Sequence, residues 1–62
     1  MVNNMTYTKE GYILNELYNK YYNYYCYCQI SYIIQAIKET LKDGVNSNDI
    51  DAIHKHIKEN YI

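Results

Sequence analysis

YYNYYCY, residues 21–27, is the stretch on which the reading of this chain turns, because five of the ten tyrosines crowd into it. It lies midway along a span, Lys9 to Lys42, that contains no proline and only one glycine, Gly11. Nothing in that span's chemistry obliges a helix to stop.

Two apolar stripes with helical spacing are written on either side of the tyrosine run. Ile13, Leu17, Tyr21, Tyr24 and Cys28 recur at intervals of three and four, and Ile30, Ile33, Ile34, Ile37 and Leu41 fall on one face of a second helical pattern. The stripes are out of phase. Leu17 and Ile37 fall about 200° apart around one continuous helix, so a straight rod would show opposite faces at its two ends. Either one long helix offers each end to a different neighbour, or the helix breaks near Tyr22 to Cys26 and gives a three-helix bundle. The absence of a breaker residue favours the long helix. A strand over Tyr24 to Ile33 suits the intrinsic preferences of Tyr and Ile, but a lone strand would have unpaired edges unless two chains paired.

Downstream the punctuation is plain. Asp43 and Gly44 follow a basic last turn with Lys38 and Lys42, so a left-handed glycine cap closes the helix there. Asn46 is an N-cap candidate, with Val45 placed to staple onto Ile50. Ile50, Ile53, Ile57 and Tyr61 mark the inner face of a last helix, expected to pack on Ile30, Ile34, Ile37 and Leu41. The fold class expected is therefore all-α: residues 9–42 as one helix or two, a loop at 43–46, and an antiparallel helix at 47–60, forming a helical hairpin in a single small domain. Residues 1–8 read as a frayed end with Thr6 or Thr8 available as an N-cap.

Size sharpens the question of partners. A chain of 62 residues is in the range where folding buries only ~60% of the unfolded surface, and where natural scaffolds usually add a disulfide, a metal or a second subunit. Cys26 and Cys28, the only cysteines, stand too close in sequence to close a stabilising loop. Two residues apart on a helix, neither this pair nor His54 and His56 presents two ligands to one metal, so no metal site and no cofactor are expected. Association, with a larger protein or as a homodimer, is the remaining way to finish burial.

The charge excludes other classes. With a net charge of −1, no arginine, and six lysines interleaved with seven acids, the chain has no basic stripe for phosphates, so direct nucleic-acid binding is disfavoured. A small helical nucleic-acid-binding regulator stays only as an alternative. The uncharged run from Tyr21 to Ile37 is shorter than the ~20 apolar residues of a spanning helix and carries polar Asn23, Gln29, Ser31 and Gln35, so no membrane segment is expected. No secretory signal is evident, and free thiols suit a cytoplasmic setting.

A catalytic site is not expected either. Cys28 and His54 can be drawn as nucleophile and base, but no oxyanion hole, phosphate loop or substrate cavity accompanies them. What stands out is ring surface. Tyr21, Tyr22, Tyr24, Tyr25, Tyr27 and Tyr32 point all around a helix and cannot all enter one small core, so they are the expected partner-binding residues. The function this implies is a non-enzymatic interaction module, an inhibitor or adaptor of a larger protein, with a self-associating structural module as the alternative. The abundance of Asn, Ile, Lys and Tyr has the style of an AT-rich genome. By analogy it points to a phage or mobile-element inhibitor of a host defence enzyme, of the anti-CRISPR kind.

Overall fold

The structure, a computed structural model, describes residues 8–61. The described residues are all helical apart from turns: α1, Lys9–Tyr25; α2, Ile30–Lys42; and α3, Ile50–Asn60. Each helix touches both others. Residues 1–7 lie outside the described residues, and with them Thr6 and most of the segment expected to fray.

The single long helix is not what forms. The chain leaves α1 after Tyr25, turns through residues 26–29 and restarts at Ile30 with Gln29 in an extended conformation. The turn contains neither Gly nor Pro, so local propensity did not dictate it. Burial did. Breaking the rod brings both stripes into one core, in which Ile13, Leu17, Ile33 and Ile37 are completely buried together with Ile53 and Ile57. Each such side chain contributes ~1.5–3 kcal/mol when removed from water. A broken helix forfeits a few hydrogen bonds worth ~0.5–1.5 kcal/mol each, and part of that is recovered as Cys28 N–H donates to the Tyr25 carbonyl (3.0 Å). Ile30, expected inside, stands half exposed beside the break.

A second departure precedes the break. Tyr21, inside α1, has φ −131° and ψ 42°, so the helix kinks one turn before it ends. The kinked residue's side chain crosses to α3, where it meets Asp51 and His54.

The helix ends follow capping chemistry. Thr8 caps α1, its hydroxyl accepting from Gly11 N–H at 2.9 Å. After α2, Gly44 N–H donates to the Leu41 carbonyl (3.0 Å) and Val45 N–H to that of Thr40 (3.3 Å), with Gly44 at φ +97°. This is the Schellman arrangement, and it uses Val45 as the apolar residue that folds back on the core. Val45 is therefore not a staple for α3. Nor does α3 begin at residue 47: its N-cap is Asp49, whose carboxylate accepts from Ala52 N–H at 3.1 Å. Asn46 has spent its side chain on Asn48 N–H (2.9 Å), a local turn that competes with capping. Among the described residues no helix is long and apolar enough to cross a membrane.

Gly44 offers a clean test of the cap. A Cβ there meets nothing within 4 Å, so the cost of substitution is conformational alone. Gly44→Ala is expected to lower stability by about 1 kcal/mol in urea denaturation, with an unchanged slope against denaturant. A neutral substitution would mean that the left-handed cap does not hold in solution.

Candidate functional site

The six tyrosines expected to form one surface do not share one fate. Tyr25 is completely buried, the largest side chain in the core, and is corrected from a partner contact to an interior residue. Tyr21 and Tyr24 are half buried and committed to α3. Tyr22, Tyr27 and Tyr32 remain outside, at 61%, 91% and 48% exposure. Helical spacing explains the division: 21, 24, 25 and 28 lie on the inward stripe, whereas 22 falls between its turns and 27 sits in the turn after α1.

His54 is the centre of the inward half. Its ring stacks on Tyr21 with centroids 3.8 Å apart and planes 11° from parallel. Tyr24 and Tyr25 meet it edge-on at 5.0 and 5.4 Å. The Tyr25 hydroxyl lies 2.7 Å from His54 Nδ1. Burial raises the pKa of the Tyr25 phenol, and burial, then the Lys58 ammonium, lowers that of His54, against an opposing pull from Asp51. Both groups are thus uncharged at neutral pH. The phenol donates, Nδ1 accepts, and the imidazole proton resides on Nε2. Around this centre Tyr24 and Tyr25 meet at 5.1 Å in a T-shape, and Tyr18 lies 6.4 Å from Tyr25 and 6.2 Å from Tyr22.

At the rim, Asp51 ties α1 to α3. Its carboxylate accepts from the Tyr21 hydroxyl and from Lys20 Nζ, the latter at 2.9 Å. The Tyr21 hydrogen bond, and after it Lys20, holds the Asp51 carboxyl below the ordinary range, and Asp51 in turn raises the pKa of both partners. All three groups face solvent, so the tie orients side chains more than it stabilises the fold.

A second polar cluster was not foreseen. His56 is half buried: its Nδ1 lies 3.1 Å from Thr40 Oγ1 and its Nε2 3.3 Å from Asp43 Oδ2. Hydroxyl, imidazole and carboxylate in that order have the outline of a nucleophilic triad. Thr40, however, is completely buried, so no substrate reaches its oxygen. The trio pins α3 to the end of α2. The Cys28 and His54 pair does not assemble: the thiol lies 3.9 Å from the Tyr24 carbonyl, and the imidazole is taken by Tyr25. Among the described residues no three His, Cys, Asp or Glu side chains converge to hold a metal ion.

No protein-family model, no curated protein and no solved structure matches this chain. The site stands on its own geometry.

The His54 environment sets a pH dependence. Its folded pKa lies below the ordinary 6.5, so the folded state binds this proton less readily than the unfolded chain. The contribution of neutral His54 is complete above that ordinary value and is lost as pH falls below it towards the folded value. NMR titration should place His54 below 6.5, and Lys58→Gln should raise it. A His54 titrating above 6.5 would contradict the buried, cation-flanked site.

Proposed function

We propose that this chain is a non-enzymatic interaction module, an inhibitor or adaptor that docks on a larger protein through the outward tyrosines around the α1–α2 turn. The observation that carries the reading is the exposure of Tyr27, Tyr22 and Tyr32 beside half-exposed Ile30, in a run with no charged residue from Tyr21 to Ile37. Exposed rings of this kind are costly to leave in water and are the side chains most often found as interface anchors. At ~200 Å² per tyrosine, these four side chains offer roughly 500 Å², over half of the ~800 Å² that one partner contributes to a standard interface.

Tyr21, Tyr24 and Tyr25 act behind that surface, by setting the kink and the turn that present it. In this reading α2 and α3 are antiparallel neighbours across the Gly44 turn, and the free thiols of Cys26 and Cys28 suit a cytoplasmic setting. By analogy, the AT-rich style of the composition makes an anti-defence inhibitor carried by a phage or mobile element a fitting instance.

One observation supports a second reading, homodimerisation. A two-fold contact sets a surface against its own copy, and an uncharged surface does so without like-charge repulsion. Sedimentation across a concentration series separates the two readings.

The test is a double substitution, Tyr27→Ala with Tyr32→Ala. Affinity purification from the native host should recover one protein in stoichiometric amount with the unsubstituted chain and lose it with the double variant, while far-ultraviolet circular dichroism stays the same. Undiminished recovery by the double variant would remove these rings from the interface.

A further inference from the structure

On the solvent side of the Tyr21 kink, α1 and the end of α3 frame an open groove of about 590 Å³. Its apolar wall is aromatic, with Tyr22 and Tyr24 from α1 and the exposed margin of the His54 ring. Lys20 and Lys58 also line it, and among the described residues that do so none is acidic. Asp51 sits on Lys20 at 2.9 Å, so Lys58 is the uncompensated positive charge beside these rings.

The two ammonium groups differ in a useful way. Lys20 is held by Asp51 at 2.9 Å, which occupies one of its three N–H donors and fixes the side chain, leaving two for a ligand. Lys58 forms no ion pair among the described residues. It still acts electrostatically on the groove wall, since it helps to keep His54, one turn back on the same helix, neutral. Asn19 and Asn23, one helical turn apart on α1, add amide donors along the same wall.

We propose that this groove receives an acidic segment of the partner protein, with an aliphatic or aromatic side chain laid against the Tyr22 ring and a neighbouring carboxylate held by Lys58 and Lys20. The proposal rests on the interaction-module reading above and adds the chemistry of the segment recognised. Charge complementarity selects the occupant. One uncompensated cation, Lys58, with the remaining N–H donors of Lys20 answers a single carboxylate, whereas a nucleic-acid strand needs a positive track along several phosphates. A second copy in two-fold contact would set Lys20 and Lys58 against their own equivalents.

The test uses the full chain and three labelled probes in fluorescence anisotropy: a short peptide alternating Glu with Leu and Tyr, the same peptide with Lys for Glu, and a short oligothymidylate. The acidic peptide should bind best, weaken with added salt, and shift the Tyr22 and His54 ring resonances. Lys58→Glu should weaken it roughly tenfold, and Tyr22→Ala should weaken it at low and high salt alike. Lys38→Glu, on the exposed face of α2, should leave it unchanged. Preference for the lysine peptide or for the oligonucleotide would overturn the proposal, as would equal effects of Lys58→Glu and Lys38→Glu. If the acidic peptide fails to bind while the Tyr27 and Tyr32 double variant still loses its partner, the groove assignment falls and the interaction-module reading stands.

Discussion

A phenol with no exposed atom must find a partner for its hydroxyl, because an unpaired buried donor costs ~1–3 kcal/mol. Tyr25 finds His54 Nδ1 at 2.7 Å, and much of the fold is arranged so that it can. The 11 residues of α3 form too short a helix to persist alone in water. What holds it is its apolar face, Ile53 and Ile57, together with the imidazole placed one residue after Ile53 among three tyrosine rings. Satisfying Tyr25 and docking α3 are one event.

That constraint also sorts the tyrosine run into two halves. A helix cannot turn rings at positions 21, 22, 24 and 25 to the same side, and the core has room for one of them completely. Tyr25 takes that place, Tyr21 and Tyr24 close over His54 and remain partly wetted, and Tyr22 and Tyr27 are driven outward. The turn at residues 26–29 completes the sorting. Once α1 ends, Ile33 and Ile37 join the core beside Leu17, and Tyr32 is carried to the rim, where its hydroxyl donates to the Tyr61 carbonyl. The rings proposed to meet a partner are those left over when the interior is full.

Much of this was legible in the chain itself, where the signals were local. Thr8 as a cap, Gly44 as a left-handed stop, the inner positions Ile53 and Ile57, and His54 at the edge of an apolar face follow from spacing and capping rules. The two out-of-phase stripes even announced a conflict around Tyr22 to Cys26. What spacing left open was how the conflict resolves, because the gain from one shared core is a tertiary quantity and no residue at 26–29 encodes a break. The same limit explains the other misses. Asn46 and Asp49 are both good caps, and the choice between them depended on Asn46 folding back onto its own turn. Nothing local to His56 signals its contact, because its partner Thr40 lies sixteen residues away. The groove with Lys20 and Lys58 unites residues from two helices separated by the whole of α2, which no local pattern foretells.

The proposed function rests on which rings are spent and which are free, so accessibility of individual tyrosines is the quantity to measure. Photochemically induced nuclear polarisation with a flavin dye reports, ring by ring, which tyrosines a small molecule in solution can touch. Strong signals from Tyr22 and Tyr27 with none from Tyr25 are predicted. A polarised Tyr25, or a silent Tyr27 in the free monomer, would contradict the division on which the account rests.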